Sequence, residues 1–139
     1  MAAVEHAIFA SRLPAWFLAH GWHPDQVLQN CGLRIVTEDG TGGRVPDVTV
    51  WDQAPKVGGV WATVWGLHLA IEIVSKSSEA MDHVIKRTEY AAARVARYWI
   101  VDRDAANTVI RFELAGDDYV EVGRQPLAWL LDTDPADHL

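Results

Sequence analysis

The sequence predicts one α/β domain, a mixed β-sheet flanked by helices. Three observations predict it. Helix-like and strand-like segments follow one another as helix, two or three strands, helix, strand and hairpin, the order of a layered α/β unit. The segment "RYWIVDRD" (97–104) is almost wholly apolar in its middle, as expected of a central strand covered on both faces. The chain has 139 residues, half of them hydrophobic, which suits one core spanning 1–139 and leaves little room for a second.

Each element has a local reason. "AVEHAIFASRLPAWFLAHGW" (3–22) reads as a helix with Ile8, Leu13, Phe17 and Leu18 as apolar positions, and Pro14 predicts a kink or two shorter pieces. "HPDQVLQN" (23–30) adds a further helical turn. "CGLRIVTED" (31–39) reads as a strand, "DGTGG" (39–43) as a turn, and "RVPDVTVWD" (44–52) as a second strand with Pro46 at its start or edge. "QAPKVGGVWATVWG" (53–66) is a loop or hairpin extension, and "LHLAIEIVS" (67–75) is a third strand. "EAMDHVIKRTEYAAARVA" (79–96) is the strongest helix, alanine-rich with Met81, Val84, Ile85, Ala92 and Val95 as its apolar stripe. "NTVIRFELAGDDYVEV" (107–122) is a hairpin turning at "AGDD", and "PLAWLLDTD" (126–134) is a short strand or helix. The acidic end, 132–139, is expected to fray.

Bulk properties narrow the function. No apolar run approaches the ~20 residues of a membrane span, and the start lacks a basic segment followed by an apolar core, so neither a membrane protein nor a secretory leader is expected. Cys31 is alone, which excludes an internal disulfide and a cysteine-rich zinc site and fits a reducing, cytoplasmic setting. The net charge of −7 repels nucleic acid at long range and weighs against tight duplex binding.

The candidate chemistry lies in two strands and the helix after them. Alternation along 67–75 puts Leu69, Ile71 and Ile73 on one face, and His68, Ala70, Glu72 and Val74 on the other. In "PDVTVW", Asp47, Thr49 and Trp51 oppose Val48 and Val50. If the two strands pair, Asp47 and Glu72 converge. Two carboxylates meeting without a cation would repel, and one would take up a proton. A hard divalent ion resolves the conflict, and magnesium favours one or two carboxylates plus waters. Asp82, Lys86 and Tyr90 follow at i, i+4 and i+8 on one helical face. A lysine there can orient or deprotonate a water, or offset charge on a phosphate.

These same stretches, "RVPDVTVWD" and "AIEIVSKSSEAMDHVIKRTEYAAARVARYWIVDRD", resemble the Uma family of restriction-endonuclease-type proteins within the PD-(D/E)xK nuclease superfamily. The resemblance covers roughly residues 4–122 and is strongest over 44–102. Its most specific elements are the "VPD" step, the "EIVS" strand end, the Asp-x3-Lys-x3-Tyr helix and the "YWIVD" strand. The resemblance implies a restriction-endonuclease-like fold and hydrolysis of nucleic-acid phosphodiesters, DNA ahead of RNA. It implies Asp47 as the first acid and Glu72 as the second, with the backbone carbonyl of Ile73 as a further ligand to Mg2+ or Mn2+. The superfamily's usual lysine two residues after the second acid is Val74 here, and its counterpart is Lys86. Asp82 and Tyr90 would orient Lys86, His6 falls where relatives often carry a histidine, and a homodimer fits an enzyme that cuts two strands. Three departures stand out: "SKSS" replaces the usual Ser-Pro-Ser and adds Lys76, the family's N-terminal β-hairpin is not expected ahead of the first helix, with Glu5 at best a partial substitute for its acid, and "GGVWATVWGLHLA" (58–70) is tryptophan-rich.

Simpler readings stay open beside these. Asp47 after proline suits a turn cap, and Glu72 with Lys86 suits a structural ion pair. Asp82 and Lys86 suit a solvated i, i+4 pair, Lys76 a loop lysine, Tyr90 a packed ring and His68 a satisfied structural histidine. Trp61 and Trp65 flank a glycine-bounded loop in which one ring could be exposed and stack on a base. The alternative to a nuclease is a repurposed member of the same fold that acts on a small molecule, or a protein that binds without cutting.

Overall fold

A computed structural model describes residues 4–74 and 80–139, with the side chains of 80–82 outside the description. Helix α1 (Val4–Ala19) leads through a 3-10 turn (Pro24–Gln26) into strand β1 (Val27–Gln29). Strands β2 (Leu33–Arg34) and β3 (Gly43–Arg44) form a small hairpin. Then come β4 (Val48–Trp51), β5 (Leu67–Ile73), α2 (Ala80–Ala92), β6 (Arg97–Val101), β7 (Thr108–Ala115), β8 (Asp118–Pro126) and α3 (Leu127–Leu131). The main sheet has the order β1-β4-β5-β6-β7-β8, with β5 and β6 parallel and the other neighbours antiparallel. A parallel pair requires a crossover, and α2 supplies it.

Both sheet faces are covered, as the apolar strands predicted. Val48, Val50, Leu69, Ile71, Ile73, Trp99 and Val101 pack against Phe9, Leu13, Trp16 and Phe17 of α1. On the opposite face Trp51, Ala70, Val74, Tyr98 and Ile100 pack against Tyr90 and Ala91 of α2 and Val95 just beyond it. Each large apolar side chain so buried contributes about 1.5–3 kcal/mol. Glu72 therefore sits in a strand with core on both sides, only 6% exposed.

Several boundaries differ from the sequence reading. Pro14 is accommodated within one continuous helix, its ring buried. "HPDQVLQN" gives a 3-10 turn and then β1, because Val27 to Gln29 find an open edge on β4. Only Leu33 and Arg34 of "CGLRIVTED" are strand. Helix α2 stops at Ala92 rather than running to 96, because Arg94 takes a left-handed conformation (φ 66°). The Val95 N–H then bonds to Tyr90 O and the Arg94 N–H to Ala91 O, a helix stop that usually uses glycine. The C-terminal residues are folded, not frayed. Pro135–His138 forms a 3-10 turn, His138 Nε2 lies 2.7 Å from Thr133 Oγ1, and Leu139 packs against the α1-side core.

Trp61 packs against Gly32 and Gly43 of the β2–β3 hairpin. A Cβ at Gly43 would come within 2.3 Å of its ring, so only glycine fits beneath it. Trp65, in contrast, is 72% exposed.

Candidate active site

Proline at 46 biases Val45 to extended backbone and delivers Asp47 to the start of β4. In the β4–β5 ladder Val48 faces Ile71, and one further step along that register sets Asp47 against Glu72. The Asp47 carboxylate replaces the next ladder bond: the Ile73 N–H donates to Asp47 Oδ2 at 2.7 Å. His6, near the start of α1, places Nε2 3.1 Å from Asp47 Oδ1. Asp47 is thus pinned from the sheet and from the first helix.

Glu72 is held from the opposite side. The Tyr90 hydroxyl donates to Glu72 Oε1 at 2.7 Å, and Lys86 Nζ lies 3.6 Å from Glu72 Oε2. Burial pushes the Glu72 carboxyl up to about 7, against the pull of Lys86 and the Tyr90 hydrogen bond, and the Asp47 charge adds to the rise. Burial and the Glu72 charge likewise hold the Tyr90 hydroxyl protonated, well above the usual phenol range. The arrangement is two carboxylates on neighbouring strands, one desolvated, with an ammonium and a phenol arriving from the helix between β5 and β6.

The structure thus pairs His6 with Asp47, and Lys86 and Tyr90 with Glu72, the two acids standing opposite one another in the β4–β5 register. Ile73 stands at the junction through its N–H. Lys76 lies outside the described residues. Asp82 sits in the first turn of α2, and its side chain lies outside the description too. His68 is a correction. Val50 pairs with Leu69 and Trp51 with Leu67, so His68 is the extra residue of a β-bulge and the alternation from Glu72 does not reach it. Its ring meets Asp52 Oδ2 (Nδ1, 3.0 Å), Arg97 Nη1 (Nε2, 3.3 Å) and the face of Trp22. None of these belongs to the Asp47–Glu72 cluster. Glu5 also points elsewhere, accepting from Arg103 Nη2 at 3.1 Å.

Sequence reasoning missed Arg44 and Glu89. Glu89, 7% exposed, accepts from Arg44 Nε at 2.8 Å and Nη2 at 3.1 Å, while Arg44 Nη1 donates to Asp39 Oδ2 at 3.2 Å. The signal was present: Glu89 stands three residues after Lys86 and seven after Asp82, on the same helical side.

A scan against protein-family models matches residues 2–136 to Uma2, described as "Putative restriction endonuclease". The chain belongs to the Uma2 family. A search of curated proteins found no match. Uma2 membership supports a nuclease-like function, and the six-stranded mixed sheet with flanking helices is consistent with the restriction-endonuclease-like fold of that family. Proteins of this fold generally use divalent metals. Among the described residues no helix is long and apolar enough to cross a membrane.

Asp47 and Glu72 offer such an ion oxygen donors. Asp47 Oδ1 meets His6 and Oδ2 accepts from the Ile73 N–H, and a carboxylate oxygen can accept from two directions. Among the described residues no group of three or more His, Cys, Asp and Glu side chains is placed to hold a metal ion, so an ion at Asp47 and Glu72 would draw its remaining ligands from backbone oxygen and water. Two carboxylates are the donor type that a hard divalent cation takes.

Proposed function

We propose that this protein is a metal-dependent endonuclease that hydrolyses nucleic-acid phosphodiester bonds at the Asp47–Glu72–Lys86 centre. One observation supports the proposal: two acids stand opposite one another in the register of paired strands, and a lysine from the crossover helix stands 3.6 Å from the more buried one. The raised Glu72 carboxyl supports it. A carboxylate whose desolvation exceeds its local compensation favours any added positive charge, whether a proton or a cation.

When bound, a divalent cation offsets charge on the phosphate under attack. Asp47 and Glu72 would hold it, with the Ile73 carbonyl as a third protein ligand. The His6 contact and the Ile73 N–H fix the Asp47 carboxylate, so the geometry is set before substrate arrives. Tyr90 fixes one Glu72 oxygen and leaves the other toward Lys86. Lys86 would orient the attacking water or donate to the phosphate oxygen that gains charge. Asp82 completes the helical face on which Lys86 and Tyr90 stand. Substrate binding would rest on local cations acting against the long-range repulsion of a net charge of −7.

The test is cleavage of plasmid DNA and of a long single-stranded RNA, at low salt, with Mg2+ or Mn2+. Wild type is expected to cut DNA with either ion and to stop in EDTA, and Asp47→Asn is expected to be inactive. Metal uptake with no cleavage of either polymer would remove the nuclease reading and favour a small-molecule substrate on the same centre. No metal uptake would reduce the cluster to an ion-pair network.

A further inference from the structure

The Arg44–Glu89 pair lies outside the proposed chemistry yet ties together the two segments that carry it. Arg44 ends β3 and stands three residues before Asp47. Glu89 stands three residues after Lys86 and directly before Tyr90. The guanidinium grips both Glu89 oxygens, a fork that fixes distance and angle together. The Glu38 N–H of the same hairpin also donates to Glu89 Oε2. Asp39 holds the remaining arm of Arg44. With its charge answered by two carboxylates, Arg44 is poorly suited to take a substrate phosphate. A buried ion pair of this kind adds little net stability over an apolar pair of the same volume, and its best-attested use is to fix register.

We propose that Arg44 and Glu89 are positioning residues. Their clamp sets the height of α2 against the β2–β3 hairpin, so that Tyr90 and Lys86 meet Glu72 while the same hairpin delivers Asp47. This proposal rests on the endonuclease reading for its catalytic consequence, but the clamp itself is testable without it. The metal ligands belong to the sheet and the lysine belongs to the helix, so loosening the clamp should separate metal binding from turnover.

The experiment compares wild type, Arg44→Lys, Arg44→Gln and the charge reversal Arg44→Glu/Glu89→Arg. Three quantities are read: kcat on plasmid DNA with Mn2+, Mn2+ affinity by calorimetry, and amide hydrogen exchange of Ile85 to Tyr90. Arg44→Lys is expected to lower kcat by about ten- to a hundredfold, as small misplacements of a catalytic group do. Mn2+ affinity, read at pH 8.5 where the α2 contacts no longer decide whether Glu72 is ionised, should stay within about threefold, since every proposed ligand is on the sheet side. Exchange in α2 should rise in Arg44→Lys, and the charge reversal should recover part of both kcat and protection relative to Arg44→Gln, part only because Asp39 and the Glu38 N–H lose their partners. A lower melting temperature with kcat of the folded fraction unchanged would overturn the proposal, as would a loss of kcat that the reversal leaves in place despite restored protection. Should wild type neither bind Mn2+ nor cut, the endonuclease reading falls alone. The clamp then stands if α2 exchange rises in Arg44→Lys and falls if it does not.

Discussion

Lys86→Met is expected to lower the rate of DNA cleavage by about two to four orders of magnitude at saturating Mn2+ and pH 8.5, the range set by loss of a positioned proton-transfer or charge-stabilising group. The choice of pH matters. Lys86 is the largest influence holding the Glu72 carboxyl down against its burial, so removing it raises that carboxyl further and weakens cation binding near neutrality. Working well above pH 7 with saturating metal removes this indirect effect and isolates the role of Lys86 in turnover. Lys86→Arg should recover part of the rate through charge alone. Its planar fork cannot reproduce a compact ammonium, and its guanidinium does not deprotonate. If Lys86→Met stays within about threefold of wild type under these conditions, Lys86 is only the structural partner of Glu72.

The second large effect is on stability. The Glu72 carboxyl stands at about 7 in the folded protein against an ordinary 4.5. Below the ordinary value both folded and unfolded chains carry the proton, and no penalty exists. Between the two values the unfolded chain releases its proton while the folded chain retains it, so stability falls as pH rises. Above the folded value the full penalty applies, about 3 kcal/mol at about 1.4 kcal/mol per unit. In EDTA, urea midpoints of wild type should therefore drop from pH 5 to pH 8 more steeply than those of Glu72→Gln, which carries no titrating group there. Added Mn2+ should reverse the loss in wild type at pH 8, because an ion that binds only the folded state stabilises it by mass action. Parallel midpoints for the two proteins across this range would show that Glu72 is not the strained group of this fold.

Much of this centre was legible in the sequence because it rests on short-range regularities. Alternation in "AIEIV" and "PDVTVW" sets Asp47 and Glu72 against one another once the strands pair, and the i, i+4 spacing of Lys86 and Tyr90 sets both on one side of α2. Alternation failed at His68 because a bulge inserts one residue, and nothing in "GLHLA" announces it. The end of α2 was misplaced for a similar reason, since an arginine takes the position where a glycine would have marked the stop. Arg44 and Glu89 are far apart in sequence, and only the folded hairpin brings them together. The C-terminal residues look polar enough to fray, yet Leu139 packs against the α1-side core and Pro135 is buried, which composition does not reveal.

The most direct check is a crystal of the protein soaked in MnCl2 at pH 8, examined for anomalous scattering. The predicted result is one peak bridging an Asp47 and a Glu72 oxygen at about 2.1 Å, the spacing of a hard octahedral cation, with Lys86 directed at the same solvent-filled space. Carboxylate oxygens too far apart to share a single ion, or a peak elsewhere with Asp47 and Glu72 bound only to His6, Ile73, Tyr90 and Lys86, would contradict the account.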